Sequence, residues 1–377
     1  MLKTSAAFIC LILILTTQTH AQGQTATAIV GSKSNSRMTT DWRIKLTGAD
    51  YHDEKSQSKI IGLVSEFKSQ YILRKDLYLD IQPVLKLQSG QTQSFDGADR
   101  PENKIALNQA ALHFQPARLL KLSAGALNQA YMHSNLLVEP IAFPGTRAES
   151  TFESSNFKTT IAIESAIPTS TSLSSNTKEL ESTPSINTLM ARLNFKTDSQ
   201  INGKLGLGYF AFNQLPSSVA QKSFLLGNTV NKISDALYEF SYDYQGLESL
   251  AEIEMPLGTF VKVALGAEYI INQKAPSDSN TGYIVYGKGT LNMPNDLDLN
   301  LSGGYFSMAP DSAVAYFNSS GFETNRIGYF SEASVSFKNE GFTLGVRYSD
   351  AEVIFSNTFQ TREQTLLLKM ETFYANL

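Results

Sequence analysis

The stretch Leu77–Gln88, LYLDIQPVLKLQ, alternates without a break. Leu77, Leu79, Ile81, Pro83, Leu85 and Leu87 share one parity, and Tyr78, Asp80, Gln82, Val84, Lys86 and Gln88 share the other. Successive side chains of a β-strand point to opposite faces, so this stretch makes a ribbon with an oily side and a wet side. The pattern recurs down the chain. Val261, Val263, Leu265, Ala267, Tyr269 and Ile271 alternate with Lys262, Gly266, Glu268 and Asn272. Leu297, Leu299, Leu301 and Tyr305 alternate with Asp298, Asn300, Ser302 and Gly304. Phe342, Leu344, Val346 and Tyr348 alternate with Thr343, Gly345, Arg347 and Ser349, and Leu366, Leu368, Met370 and Tyr374 with Thr365, Lys369 and Glu371.

The connections between these ribbons alternate in length. Arg74-Lys75-Asp76, Pro116-Ala117-Arg118, Asp198-Ser199-Gln200, Pro256-Leu257-Gly258, Pro294-Asn295-Asp296 and Asn339-Glu340-Gly341 are short and rich in turn residues. The stretches 89–103, 168–185, 214–235 and 309–325 are long and polar. Short turns on one side and long loops on the other define an up-and-down meander. The spacing predicts sixteen strands: 41–50, 58–72, 77–88, 104–115, 120–129, 146–154, 157–167, 186–197, 202–213, 236–255, 259–271, 281–293, 297–308, 326–338, 342–355 and 362–374. This count requires 236–255 to be one long strand bulged at Gly246, with Tyr238, Phe240, Tyr242 and Tyr244 and then Ala251, Ile253 and Met255 facing out.

Composition narrows the class. The 377 residues are 42% hydrophobic and 18% charged, below the roughly 25% charge of ordinary soluble domains. A net charge of −4 argues against a nucleic-acid partner, which needs a basic footprint. Lys3, the apolar run Ala6–Leu15 and Thr19-His20-Ala21 read as a signal peptide over residues 1–21. The only cysteine, Cys10, lies inside that run, so the mature chain has no disulfide framework and no thiolate metal site. Residues 22–40 are polar and predict a flexible lead-in to a barrel over 41–377.

The oily faces must point at lipid. The opposite faces carry Arg43, Lys45, Glu66, Lys68, Asp80, Lys86, Lys121, Glu164, Arg192, Lys262, Glu268, Lys288, Glu332 and Arg347. So many charges cannot be buried dry, because each unpaired ion would cost several kcal/mol. They predict a wet lumen. Trp42, Tyr71, Tyr283, Tyr329, Tyr348 and Tyr374, outward near strand ends, suit interfacial aromatic girdles. The fold class is therefore all-β: a transmembrane, antiparallel, up-and-down β-barrel.

With its signal peptide, alternating hairpins, long loops and final strand Thr365–Tyr374, the chain resembles a Gram-negative outer-membrane porin. Leu366, Leu368, Met370 and Tyr374 resemble the terminal signal read by the barrel-assembly machinery, although three residues, Ala375-Asn376-Leu377, follow the aromatic here. The resemblance implies a water-filled channel in the outer membrane. Its partners would be outer-membrane lipid, small hydrophilic solutes and the assembly machinery, and the family also admits a homotrimer. No cofactor or metal is implied.

In such porins the third long loop folds into the lumen. Here that segment is 130–145, AYMHSNLLVEPIAFPG, and it is apolar for a free loop. The resemblance places Glu139 opposite lumenal arginines such as Arg43 and Arg192 at a constriction. Lys86, Lys121, Lys262, Glu268 and Arg347 complete the charged lining. His133-Ser134-Asn135 is similar in content to the H-x-S-N-G pattern of outer-membrane phospholipases, but its spacing differs and it falls in a predicted loop, so catalysis is not expected. Two other readings stay open. A non-channel barrel, either a surface protein or a lipid-modifying enzyme, would have a lumen plugged by side chains. A hydrophobic-ligand transporter would need an N-terminal hatch, and residues 22–40 are too short for one.

Overall fold

A computed structural model describes residues 37–93, 101–170, 181–234, 237–318 and 321–377. The expected signal peptide and most of the lead-in lie outside these residues. Sixteen long strands follow in order: β1 (Met38–His52), β2 (Gln57–Arg74), β3 (Leu77–Gln93), β4 (Lys104–Ala117), β5 (Leu120–Asn128), β6 (Ala142–Glu153), β7 (Phe157–Ala166), β8 (Ser185–Lys196), β9 (Asn202–Asn213), β10 (Gln245–Pro256), β11 (Val261–Asn272), β12 (Thr281–Met293), β13 (Leu297–Met308), β14 (Arg326–Phe337), β15 (Phe342–Val353) and β16 (Glu363–Thr372). Each pairs antiparallel with the next, and β1 pairs with both β2 and β16. The sheet thus closes on itself and leaves no long edge, the condition for crossing lipid with strands.

The connections 75–76, 118–119, 154–156, 197–201, 257–260, 294–296 and 338–341 all fall on one rim, and the other rim carries the long ones together with the four-residue 53–56. Asn295 and Asp296 both have positive φ, 64° and 57°, the geometry of a tight hairpin turn. The facing follows the parity of the sequence except in β4, where an extra residue at Asn108 shifts the register so that Ile105 and Leu112 share the outer face. Ile105, Leu112, Leu122, Ile163, Leu207, Leu265, Val285, Leu301 and Val346 are exposed on the outside, and Ile105 is 81% exposed. Their alternation partners line the inside.

Four expectations are corrected. First, 236–255 is not one bulged strand. β10 begins at Gln245, while Tyr238–Phe240 pairs with Val230–Lys232 in a separate hairpin. Tyr244, expected outward, is buried. The run of alternating aromatics mimics a strand, but these residues pack within the loop layer. A short helix, α1 (Ser217–Leu225), also forms in the 214–244 connection, and Glu181 Oε1 accepts from Ser217 N (2.7 Å) at its positive end.

Second, Tyr374 faces inward. Lys45 lies opposite Glu371, but Trp42 lies opposite Ala375, so one extra residue enters the final stretch. That residue turns Phe373 out and Tyr374 in, where its hydroxyl donates to Glu66 Oε2 (2.9 Å). Third, the element limits shift. β1 starts at Met38, inside the expected lead-in, and Ala142–Gly145 belongs to β6, so the third long connection is 129–141.

Fourth, the lumen is not wet throughout. Towards the loop rim the inner faces of β6–β9, β11–β13 and β15 contribute Phe143, Ala166, Ile186, Phe210, Phe212, Ile270, Ile284, Phe306, Met308 and Ala351 to one apolar cluster. The connections fill it with Leu136, Leu137, Val138, Val219, Tyr244, Val314, Phe317 and Phe322. The reason is local. Near the loop rim the inner faces of these strands turn apolar, so they are covered by loops that carry apolar residues of their own.

Candidate functional site

The chain leaves β5 through a single 3-10 turn, Gln129–Tyr131, where Asn128 Oδ1 accepts from Ala130 N (3.0 Å). The Tyr131 ring lies 5.2 Å from both the Lys121 ammonium and the Arg147 guanidinium. These two cations meet Glu149 and Glu164. Lys121 Nζ is 2.9 Å from Glu149, and Arg147 Nε donates to Glu164 (2.5 Å).

The tip of the connection is fastened to the far wall. His133 Nδ1 lies 2.5 Å from Glu248 Oε1, and Ser134 N donates to Glu248 Oε2 (2.8 Å). Ser134 Oγ donates to Glu268. Arg192 Nη2 reaches the His133 carbonyl (3.5 Å). Gly208 makes room, because a Cβ there would lie 2.7 Å from Met190 Sδ and 2.9 Å from Glu248 Cγ. Leu136, Leu137 and Val138 then sink into the apolar cluster at 0% exposure. Glu139 N donates to Phe317 O (2.7 Å), and Gln129 N donates to Ile141 O (3.0 Å), closing the segment on itself. The His133 ring and the Ser134 hydroxyl thus serve two different glutamates rather than pairing as base and nucleophile.

Glu139 is half-buried, and burial raises its carboxyl pKa against the opposing pull of Lys104 and Lys86. These lysines face each other across β3 and β4. The expected partners of Glu139 are corrected accordingly. Arg43 is held by Glu66 (2.6 Å) and Glu371, and Arg192 by the tip of the segment. The cations that act on Glu139 therefore belong to the β3–β4 wall.

The other anticipated lining residues are scattered. Lys262 is exposed near the turn rim, and Glu268 carries Ser134. The Arg347 guanidinium lies 4.7 Å from the Phe330 ring centre and 5.5 Å from that of Phe322. Leu366, Leu368 and Met370 stay on the outward parity of β16, level with the outward residues Val346 and Leu344 of β15. Sequence reasoning missed Glu248, Lys104, Arg147, Glu149 and Glu252. Glu252 gathers Lys204 (2.7 Å), Lys288 (3.0 Å) and the Tyr286 hydroxyl (2.9 Å). The signal was present for Glu248 and Glu252, which alternate with Leu247, Ala251 and Ile253.

A closed barrel of sixteen antiparallel strands, apolar outside and charged inside, with a long connection folded against its inner wall, has the architecture of the outer-membrane porins. Solved structures of that class are similar to the chain throughout. OprB of Pseudomonas putida at high pH aligns over 89% of this chain and 93% of its own, with a TM-score of 0.57 and 13% identity. A loop-deleted OmpT of Vibrio cholerae aligns over 90% and 100%, with a TM-score of 0.53 and 10% identity. Salmonella typhi OmpF, in complex with daunomycin, aligns over 88% and 97%, with a TM-score of 0.50 and 10% identity. No protein-family model matches the chain, and no curated protein matches it. At these identities the likeness establishes the fold, and the lumen must be read from this chain's own residues.

Proposed function

We propose that the chain is an outer-membrane porin, a water-filled channel for passive diffusion of small polar solutes and ions. The observation that carries this reading is the contrast between the two faces of the closed sheet. The outside is apolar over the height of the strands. The inside holds partly solvent-reached charges, among them Lys204, Lys288, Lys338 and Lys369. Ions of both signs line the wall, so a weak ion preference is expected.

The path for solute is eccentric. The apolar cluster occupies the loop-side lumen against β6–β9 and β11–β15. The remaining wall, β16 and β1–β4, presents small and polar inner residues such as Thr47, Ser58, Gly62, Gln88, Thr92, Lys86 and Lys104. The constriction then lies between the 129–141 segment and β3–β4, with Glu139 on one side and Lys86 and Lys104 on the other. Export through the signal peptide at 1–21 and insertion by the assembly machinery belong with this proposal.

The same apolar cluster favours one rival, a barrel that inserts but does not conduct. A planar-bilayer recording separates the two. The porin reading expects stable ohmic steps of about a nanosiemens or somewhat less, as a sixteen-strand aqueous bore allows. Insertion without steps would remove it.

A further inference from the structure

Away from the lumen, the loop rim carries a pocket of about 340 Å³. Three connections build it: 214–244 supplies Phe224 and 227–230, 309–325 supplies Pro310 and Asn325, and 354–362 supplies 355–359. Side-chain amides fix these pieces to one another. Asn228 Nδ2 donates to Pro310 O and Ala313 O (2.8 Å), and Asn228 Oδ1 accepts from Ala315 N (2.8 Å). Asn325 Nδ2 donates to Phe355 O (2.8 Å), and its Oδ1 accepts from Phe355 N (2.8 Å). Gln360 Nε2 reaches Leu226 O (3.0 Å) and Thr324 O (3.1 Å). The pocket is therefore shaped before any ligand arrives. Three phenylalanines give it an apolar surface. Phe224 and Phe359 meet edge to face with ring centres 5.0 Å apart, and Phe355 is 46% exposed. No lining residue is charged, and Lys55, beside the pocket, is committed to Thr358 O (2.5 Å). The hydroxyls of Ser356 and Thr358 make no hydrogen bond among the described residues.

We infer that this pocket is a binding site for a small, neutral aromatic alcohol of the phenol class. Its volume is at the small end of ligand pockets, which run from about 300 to 1,000 Å³, so it suits a single ring. Another ring extends the edge-to-face array of Phe224 and Phe359, positive edge against negative face. The free Ser356 and Thr358 hydroxyls both donate and accept, so they match the ligand's O–H. A carboxylate or ammonium would lose its water there with no opposite charge in the wall. An occupant bridges three connections, two of which also cover the loop-side lumen through Val219, Tyr244, Val314 and Phe317. The site lies outside the solute path and does not depend on conduction.

The full chain folded in detergent micelles is titrated with 4-fluorophenol, and the fluorine NMR resonance is followed against protein-free micelles. Saturable binding beyond that blank is expected. Fluorobenzene, which lacks the hydroxyl, should bind about threefold or more weakly. The anion 4-fluorobenzoate should bind about tenfold or more weakly. Phe355→Ala keeps both backbone bonds to Asn325 and should weaken 4-fluorophenol about threefold or more by removing ring surface. Ser356→Ala combined with Thr358→Val should bring 4-fluorophenol and fluorobenzene to equal affinity, because the hydroxyl then has no partner. The site is overturned by the absence of saturable binding in the wild type, by 4-fluorobenzoate binding as tightly as 4-fluorophenol, or by a Phe355→Ala effect below about threefold. If Phe355→Ala does not fold, the doubly substituted chain decides, and an undiminished preference for 4-fluorophenol over fluorobenzene there overturns the site.

Discussion

Replacing Leu301 by arginine tests the assignment of inside and outside. Leu301 is 53% exposed on the outer face, and Ser302, its neighbour, faces the lumen between Lys288 and Glu332. Leu301 is the fifth of the twelve residues of β13. At about 3.3 Å per residue and a tilt near 40°, it stands roughly 10 Å from the turn-side end, close to the middle of an apolar band about 25 Å tall. An arginine on the lipid face near that depth costs about 2–4 kcal/mol. This lowers the folding equilibrium roughly 30- to 700-fold. Ser302→Arg places the same charge in water and near Glu332, so its cost stays within about 0.5 kcal/mol, as for an ordinary exposed site. Denaturant unfolding of the barrel in phospholipid vesicles measures both. The single tryptophan, Trp42 on β1, supplies the fluorescence signal. Costs for Leu301→Arg and Ser302→Arg that agree within about 0.5 kcal/mol would refute the facing and, with it, the transmembrane barrel.

Deleting 134–142 removes the Ser134 bonds to Glu248 and Glu268 and the apolar plug Leu136–Val138 and opens the bore, so single-channel conductance rises; an unchanged conductance would put the segment outside the solute path. Glu139→Lys joins its charge to those of Lys86 and Lys104, and the reversal potential in a salt gradient shifts toward anion selectivity. Asp311, in the 309–325 connection, is fully buried, which raises its carboxyl pKa, while hydrogen bonds from Thr229 N (2.9 Å) and other groups pull it down. A folded pKa above the unfolded one gives stability that is present below the unfolded value and lost as pH rises through the folded value. Amide exchange in the loop layer should therefore speed up as pH rises through that point, beyond the intrinsic increase, and Asp311→Asn should remove the excess; an excess that survives the substitution would assign it to another group.

The alternation of residues such as Leu77–Gln88 gave the strand type, most of the facing and a count of about sixteen strands, because lipid outside and water inside impose opposite demands on adjacent residues of every strand. The short turns settled the parity of the meander, since tight hairpins tolerate few residue types. The alternation could not report where a strand stops inside an aromatic-rich loop. Tyr238–Phe240 and Tyr244 carry strand-like spacing yet pack on α1 and the loop layer. Nor could it place Tyr374, which one extra residue before Ala375 turns toward Glu66. The arrangement of the lumen was decided by tertiary contacts alone. Glu248 and Glu268 hold His133 and Ser134 across more than a hundred residues of chain, and the apolar cluster joins three long connections to the inner wall. Sequence periodicity is a property of one strand and its two surroundings, whereas a constriction is made by residues from distant strands meeting across a space that only the closed barrel creates.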